Sequence, residues 1–302
     1  MKSIIRNLEF RKLRKNDYNE FKKLFYLCFK KKISFNFFNW RYFNDKHSFC
    51  FGVFISNKLV ANVGIKSMIL NNKNKELTFS RHSSMVLRKY RGLGIYSKLL
   101  DNVKKKITKK AKIIIMWPNK KNFASFGIKK SQIVKKRLFL YKTTIVKKKN
   151  ISQTQNQKIE KLKRFRSIIK SNNNFFYKDY RYFIEKYLSY KKNEYFINKF
   201  QSKDLFSFFI IKKNKDKTGL NYVILDHFGS TKIKSLHLMN LVNEKKNLIF
   251  CSKSRINKLN YKLINNINLK IGFVSKNDFI KRRDFVKKDF MLGDNDIFLS
   301  IT

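Results

Sequence analysis

Cysteine is scarce in this chain, and its spacing excludes two kinds of site. The three cysteines are Cys28, Cys50 and Cys251, and no two of them lie close together in sequence. A disulfide framework or a structural zinc site needs closely spaced cysteines or mixed clusters of cysteine and histidine, and the sequence has neither. We therefore expect buried free thiols in a reducing compartment and no bound metal.

Acidic residues are also scarce. The 302 residues include 71 Lys plus Arg against 19 Asp plus Glu, which gives a formal net charge of +52. Such a surplus is typical of proteins that bind nucleic acid or an anionic membrane surface. A/T-rich codons explain it equally simply, because Lys, Asn, Ile and Phe are abundant while there are only nine Gly and one Pro. We favour this mutational bias as the origin, although the charge attracts anionic ligands in either case.

Long apolar runs are missing as well. No segment approaches the roughly 20 apolar residues that cross a bilayer, and residues 1–16 lack the apolar centre of a signal peptide. The sequence therefore predicts a cytoplasmic protein. Its hydrophobic fraction of 43% is ample for a folded core, and its length suits two domains.

The first half alternates between the patterns of strands and helices. Asn16 or Asp17 is expected to cap the first helix, with Glu20 completing a capping box. Apolar residues recur four apart from Ile95 to Ile107, which predicts one face of another helix. The predicted strands are 8–13, 49–55, 59–70, 77–87, 113–117 and 136–145, and a further aromatic segment, 35–43, is predicted to be helical.

The second half repeats this rhythm after a polar stretch without periodicity. We predict domains over 1–146 and 159–302 with a linker over 147–158. Residues 37–42 have a faint echo in residues 182–187, which suggests two copies of one fold.

One turn has the features of an anion-binding loop. Gly92 and Gly94 stand where the third long strand gives way to the helix, and Arg88 and Arg91 flank them. The start of a helix carries unpaired N–H groups and a partial positive charge, and glycines allow a phosphate to approach the backbone closely. The sequence therefore predicts a phosphate cradle at this turn.

The segment Arg91-Gly92-Leu93-Gly94-Ile95-Tyr96 resembles the signature [RQ]-x-x-G-x-[GA] of the GNAT (GCN5-related N-acetyltransferase) family. It departs from the signature at Tyr96, and Pro118-Asn119 resembles the family's Pro-Asn after the fifth strand. The resemblance implies an α/β (α+β) fold with a mixed central sheet and flanking helices, in two tandem copies, and acetyl-CoA as co-substrate. The cofactor-binding residues that it implies are Met85, Val86, Leu87, Arg88, Arg91, Gly92, Leu93, Gly94, Ile95, Tyr96, Asn119 and Phe126.

The same resemblance implies direct transfer of an acetyl group to an amine. Backbone N–H groups near residues 85–87 would polarise the thioester. We nominate His82 as the general base, with Glu76 at the start of the same strand and a packed or surface position for His82 as open alternatives. The family's usual acid is a tyrosine after the fifth strand, where this sequence has Phe123 and Phe126. No acid can therefore be named.

The acceptor implied by the resemblance is an amino sugar or a nucleotide-linked sugar used in surface glycan synthesis. Trp40 and Asp226 are the candidate substrate residues, although core packing for Trp40 and helix capping for Asp226 compete with that role. The second half has no glycine loop, so we expect it to shape the acceptor site or to join subunits, as in a homodimer. Two alternatives stay open: an aminoacyl-tRNA-dependent transferase, and a non-enzymatic polyanion-binding protein that would bind nucleic acid.

Overall fold

The structure is a computed structural model. It describes residues 7–45, 47–70, 75–107, 113–116, 133–143, 155–158, 177–190, 194–202, 205–216, 219–230, 232, 234–244, 247–252 and 261–275. Contacts divide the chain into two units. The first takes Met1–Leu70, Lys75–Val134 and Lys270–Lys281, and the second takes Asn71–Asn74, Lys135–Leu269 and Arg282–Thr302.

The first unit is an antiparallel meander that continues into a parallel strand. Its elements in chain order are β1 (Glu9–Lys12), α1 (Tyr18–Phe29), α2 (Phe35–Phe43), β2 (Phe49–Ile55), β3 (Lys58–Ile69), β4 (Leu77–Val86), α3 (Ile95–Ile107) and β5 (Ile113–Met116). Strands β1 to β4 pair antiparallel in sequence order, and β5 runs parallel to β4. Helix α3 makes the crossover that a parallel pair requires.

The remaining elements lie mainly in the second unit, and their order repeats that of the first in part. They are β6 (Ile133–Thr143), β7 (Gln155–Lys158), α4 (Tyr180–Phe183) with a π-helical turn (Ile184–Leu188), β8 (Tyr195–Ser202), β9 (Leu205–Asp216), β10 (Gly219–Gly229), α5 (Lys234–Glu244), β11 (Leu248–Ser252) and β12 (Tyr261–Ser275). Strands β7 to β10 form the meander, and β11 runs parallel to β10. The mixed α/β architecture predicted from the sequence is confirmed.

Each unit is closed by a strand from the other half of the sequence. Gly272 to Ser275 of β12 pair antiparallel with β5, and β6 pairs antiparallel with β11. The limits of the two units therefore differ from the predicted domain boundary. A strand belongs to the unit whose strands it pairs with, wherever it lies in the sequence. Residues 155–158 of the predicted linker form β7. Domains over 1–146 and 159–302 stay a prediction.

The repeat extends to the aromatic segments that pack on the two sheets. Phe38 and Tyr42 in α2 have ring centroids 5.5 Å apart at an interplanar angle of 59°. Phe183 and Tyr187 have centroids 5.6 Å apart at 50°, and all four side chains are fully buried. This matched pair supports the predicted echo between residues 37–42 and 182–187.

The predicted capping box at the start of α1 is wrong. Asp17 precedes the helix, but its side chain makes no capping bond. It accepts hydrogen bonds from both terminal nitrogens of Arg11, at 2.7 and 2.8 Å, and from the backbone N–H of Arg14 at 2.6 Å. A bidentate guanidinium is a stronger donor than a backbone amide, so the carboxylate turns away from the helix.

The first unit buries apolar residues on both faces of its sheet. The predicted stripe of α3 is confirmed, since Ile95, Leu99, Val103 and Ile107 are all buried against β2, β3 and β4. On the other face, α1 and α2 bury Phe21, Leu24, Phe38 and Tyr42.

None of the helices that the structure describes has the length and apolar character needed to span a bilayer.

Candidate functional site

Strand β4 changes the direction of its side chains at a bulge. The register slips between the pairs Gly64–His82 and Asn62–Met85, and Ser83 has a positive φ of 47°. Before the bulge His82 lies on the α2 face, against Tyr42. After it, odd-numbered Met85 packs on that same face, while even-numbered Val86 packs on the α3 face. The extra residue at the bulge reverses the alternation and redirects the end of β4.

Asn62 holds this bulge from the neighbouring strand. Its buried side chain donates from Nδ2 to the Ser83 carbonyl at 2.9 Å, and its Oδ1 accepts from the Cys50 thiol. A bulge takes backbone groups out of the ladder, and a buried carbonyl needs a donor. Burial raises the pKa of Cys50, so its thiol stays protonated and can donate. No pattern in the sequence indicated this role of Asn62.

The loop after β4 is shaped by two glycines. A short 3-10 helix (Arg88–Tyr90) follows the strand, and Gly92 and Gly94 then adopt positive φ angles of 82° and 71°. A Cβ at either glycine would meet no atom within 4 Å, so the backbone conformation and not crowding requires glycine there. The Gly94 carbonyl accepts from Lys98 N–H at 3.1 Å, which leaves the amides of residues 95–97 without intrahelical acceptors.

A cavity of about 490 Å³ lies between the end of β4 and this loop. It is lined by Ser84, Met85, Val86, Tyr90, Arg91, Gly92, Gly94, Ile95, Tyr96 and Ser97. Among the described residues, β5 pairs with β4 from Thr78 to Ser80, and β4 continues past this segment to Val86, which lines the cavity. The start of α3 and the end of β4 therefore face one space.

Two arginines fix the walls of the cavity. Arg91 donates from Nε to the Val86 carbonyl at 3.0 Å and thereby ties the glycine loop to the strand. Arg81, buried beneath the loop, donates from Nη1 to the Tyr96 hydroxyl at 2.9 Å. Burial lowers the pKa of Arg81, and Tyr96 opposes that shift. Tyr96, which departs from the family signature, is thus held down toward the sheet.

Seven of the twelve predicted cofactor residues line the cavity: Met85, Val86, Arg91, Gly92, Gly94, Ile95 and Tyr96. Leu87 and Leu93 instead pack against the α3 core, and the Leu87 N–H donates to the Val60 carbonyl at 2.9 Å. Arg88 opens the 3-10 helix. Asn119 and Phe126 lie outside the described residues. Ser84, Tyr90 and Ser97 also line the cavity but were not predicted from the sequence, although residues beside each of them were.

His82, the nominated base, is stacked on Tyr42. The ring centroids are 5.3 Å apart at 15°, and Nδ1 lies 3.1 Å from the Ser83 hydroxyl. Gly64 stands opposite on β3, where a Cβ would come within 2.5 Å of His82 Cε1 and 2.7 Å of Tyr42 Cε1. The missing side chain of Gly64 therefore makes room for the stack. A glycine inside a strand signals such close approach, and the sequence offered that signal.

The two predicted substrate residues lie elsewhere. Trp40 is only 9% exposed, and its ring packs near Phe37 with Lys66 Nζ 5.8 Å from its centroid. Asp226 of the second unit is fully buried and forms an ion pair with Lys178. These surroundings favour a packing role for Trp40 and a structural role for Asp226. The side chain of Asp226 is bonded to Lys178, Tyr182 and Tyr187, which differs from the helix-capping role weighed for it above.

Asp226 is the centre of a buried polar cluster. Besides the ion pair, its carboxylate accepts from the hydroxyls of Tyr187 and Tyr182, the latter at 3.1 Å. Lys186 in turn donates to the Tyr182 hydroxyl at 2.8 Å. A buried charge is tolerated when it is paired and hydrogen-bonded, and this carboxylate has three partners.

Two buried histidines of the second unit form an ordered hydrogen-bond chain. His237 on α5 lies 2.7 Å from Asn198 Oδ1 through Nε2 and 2.9 Å from Ser207 Oγ through Nδ1. Since Asn198 Oδ1 can only accept, Nε2 of His237 carries the proton and Nδ1 accepts from the Ser207 hydroxyl. Ser207 in turn accepts from His227 Nε2 at 2.8 Å. The chain therefore needs a neutral His237, because only an unprotonated Nδ1 can accept from the Ser207 hydroxyl.

We expect the second unit to lose stability in acid. Burial lowers the pKa of His237 to about 3, and burial with nearby positive charge lowers the pKa of His227 well below 6.5. The unfolded chain therefore binds more protons below pH 6.5, so stability is full above that pH and falls toward pH 3. Denaturant titrations at pH 7 and pH 4.5 measure the loss. His237→Gln should be less stable than the wild type at pH 7, but its stability should change less between pH 7 and pH 4.5. An equal loss of stability on acidification in the wild type and the variant would contradict this account.

Metal ligands are not grouped in the described residues. No cluster of three or more His, Cys, Asp or Glu side chains occurs there. Cys28 and Cys50 are free thiols.

Residues 9–128 match the family model described as the acetyltransferase (GNAT) domain. This region holds β4, the glycine loop and α3, which together form the cavity. Residues 9–128 are therefore similar in sequence to a GNAT acetyltransferase domain. No curated protein sequence matches the chain significantly.

Solved structures extend the likeness beyond these residues. A GCN5-related N-acetyltransferase from Anabaena variabilis has a TM-score of 0.66 at 10% identity, over 87% of this chain and 72% of that chain. A putative acetyltransferase from Pyrococcus horikoshii has a TM-score of 0.57 at 12% identity, over 95% of both chains. An Enterococcus faecalis protein described as a probable N-acyltransferase has a TM-score of 0.63 at 11% identity, over 87% and 71%. At such identities the likeness concerns the fold alone, and the predicted GNAT fold is confirmed.

Proposed function

We propose that this protein binds acetyl-CoA in the cavity between β4 and the glycine loop and transfers the acetyl group directly to an amine. The observation that carries the proposal is the joint position of the α3 amides, the two positive-φ glycines and the end of β4 around one cavity. The fold alone hosts many functions, whereas this arrangement offers a specific place for an anionic ligand.

The residues around the cavity fit the phosphates of such a ligand. The free amides of residues 95–97 and the α3 dipole favour negative charge, and Gly92 and Gly94 leave space above the backbone. Arg91 lies beside this space and adds positive charge. Tyr96 is drawn toward Arg81, which keeps its bulk from filling the cradle.

The residues at the end of β4 fit the reacting part of the ligand. Acetyl-CoA supplies an activated acetyl thioester. The bulge leaves Ser83 and Ser84 out of the register, and Met85 and Val86 then pair again with Asn62 and Ala61. The Leu87 N–H is bonded to the Val60 carbonyl, and N–H groups alternate in direction along a strand, so the Val86 N–H points away from β3 and would polarise the thioester carbonyl. His82 would accept the proton of the attacking amine.

The acceptor that we propose is an amino sugar or a nucleotide-linked sugar. This finer step rests on the resemblance of the segment Trp40-Arg41-Tyr42 and of the tandem arrangement to GNAT proteins of surface-glycan pathways. The positive charge of the chain suits a phosphate-bearing acceptor of this kind.

Binding is tested by thermal unfolding with acetyl-CoA, free CoA and mixed RNA. A ligand that binds only the folded state adds about 2.7 kcal/mol at a hundred times its dissociation constant. We expect acetyl-CoA to raise the melting temperature of the wild type and to have no effect on Gly94→Glu. The substituted side chain would strain a positive φ and place a carboxylate where phosphate should bind.

Gly219→Glu is the matched control. Gly219 also has a positive φ, 108°, and open space around its Cβ position, but it lies in the second unit. It should suffer the same backbone strain and keep the full response to acetyl-CoA. A wild type that responds to RNA and to neither CoA species would overturn the proposal and favour a polyanion-binding protein.

A further inference from the structure

The end of α1 and the turn into α2 expose a cluster of large apolar side chains. Tyr26, Leu27, Phe29 and Phe35 are 49%, 53%, 43% and 44% exposed. They are four of the eight large hydrophobic side chains exposed among the described residues, and they fall within ten positions of the sequence. Single exposed apolar residues are ordinary, whereas a concentration of them marks a surface that meets another apolar phase.

Lysines surround this cluster. Lys22, Lys23, Lys30, Lys31 and Lys32 are all exposed, and residues 21–44 contain no acidic residue. The lysine run begins where α1 ends, since Lys30 adopts the left-handed conformation and its N–H closes the helix on the Tyr26 carbonyl. Tyr26, Leu27, Phe29 and Phe35 together with these five lysines are called the α1–α2 patch below.

Packing of α1 accounts for only part of the patch: Phe29 packs on Phe25 with ring centroids 4.9 Å apart and Phe35 on Tyr18 at 5.3 Å, but this does not explain the exposed side chains at positions 26 and 27. The helix buries Phe21 and Leu24 on its inner face, which anchors it to the sheet. Its outer face starts with Lys22 and Lys23, as expected for a solvated helix, and then turns apolar one helical turn later. Polar residues at positions 26 and 27 would serve the fold equally well.

We propose that the α1–α2 patch docks this protein on an anionic lipid membrane. The apolar side chains would enter the boundary between headgroups and acyl chains, and the lysines would contact lipid phosphates, as in interfacial helices. Single-stranded nucleic acid also binds basic surfaces with aromatic rings, but it does so by stacking bases on ring faces. Leu27, the most exposed member, has no ring to offer a base.

The patch adjoins the candidate active site. Cys28, between Leu27 and Phe29 in sequence, lies with its Sγ 3.7 Å from the Val86 carbonyl, and Val86 lines the cavity. A docked protein would therefore hold the cavity beside the membrane surface, within reach of an acceptor carried there. The docking proposal concerns binding alone and stands whether or not acetyl transfer is the reaction.

Sedimentation with lipid vesicles tests the proposal. Full-length protein is mixed with phosphatidylcholine vesicles, with or without phosphatidylglycerol, at several salt concentrations. We expect partition onto the anionic vesicles that weakens with salt, and a roughly tenfold or greater loss of partition in Leu27→Ser/Phe29→Ser. Both side chains are exposed, so the variant should fold, which circular dichroism verifies.

Leu236→Ser/Met239→Ser is the matched control, because both residues are exposed on α5 of the second unit. It should partition like the wild type. Equal partition of the wild type and the Leu27→Ser/Phe29→Ser variant would overturn the proposal and assign vesicle binding to the overall charge. Loss of RNA binding in that variant, with vesicle binding intact, would also overturn it and identify the patch as a nucleic-acid surface.

A second readout separates insertion from simple attraction. Tryptophan is introduced as Leu27→Trp or, as control, Leu236→Trp, and its fluorescence is followed with vesicles that contain brominated lipid. We expect bromine quenching beyond the wild-type background only in Leu27→Trp, since only the patch would reach the acyl boundary. Equal quenching in both variants would contradict the proposed orientation.

Discussion

Lys178→Met is expected to destabilise the second unit by about 3–5 kcal/mol. Lys178 and Asp226 are both fully buried, and the substitution leaves the carboxylate without its counter-ion. The hydroxyls of Tyr182 and Tyr187 would still donate to it, but neutral donors do not replace a buried positive charge. A denaturant titration monitored by circular dichroism measures the change. Tryptophan fluorescence would not report on the second unit, because both tryptophans, Trp40 and Trp117, lie in the first half of the sequence.

Two further variants separate the lost ion pair from lost packing. Arg181→Met removes an exposed partner of Glu185 from the same segment, and we expect it to cost well under about 1 kcal/mol. Lys178→Met/Asp226→Leu removes both buried charges and should recover most of the stability that Lys178→Met loses. A double variant no more stable than Lys178→Met would indicate that the side chains act mainly through shape.

The sequence predicted those features that depend on local pattern. The α3 stripe from Ile95 to Ile107 follows from a period near 3.6, and it is buried as expected. Gly92 and Gly94 marked the loop because a strand-to-helix turn with glycines demands positive φ angles, and both glycines have them. Most of the other residues that line the cavity were implied by the resemblance of residues 91–96 to the family signature.

Features made by distant residues could not be predicted in this way. Asp226 and Lys178 are 48 positions apart, so no local pattern indicates their ion pair, and the sequence suggested helix capping for Asp226. Asn62 meets the Ser83 carbonyl only because of the bulge in β4, and a bulge has no reliable sequence signal. The closing strands of the two units pair across the chain, whereas the predicted boundary assumed that neighbours in sequence stay together.

His82→Gln is expected to lower kcat for acetyl transfer by about 10²-fold or more and to leave acetyl-CoA binding unchanged. Glutamine is of similar reach but cannot accept a proton near neutral pH, and His82 lies on the α2 face, outside the cavity lining. Release of CoA thiol, with a panel of amino sugars and nucleotide-linked amino sugars as acceptors, measures kcat. Thermal shift with acetyl-CoA measures binding.

Gly64→Ala tests whether the position of the imidazole matters as well as its chemistry. The added methyl group would stand within 2.5 Å of His82 Cε1 and 2.7 Å of Tyr42 Cε1, so the stacked rings must separate. A base that has to meet the amine within hydrogen-bond reach loses rate when it is displaced, so kcat should fall while acetyl-CoA still binds. Full activity in both His82→Gln and Gly64→Ala would exclude His82 as the base and leave deprotonation to solvent. Loss in Gly64→Ala alone would show that the stack matters to the fold of β4 and not to proton transfer.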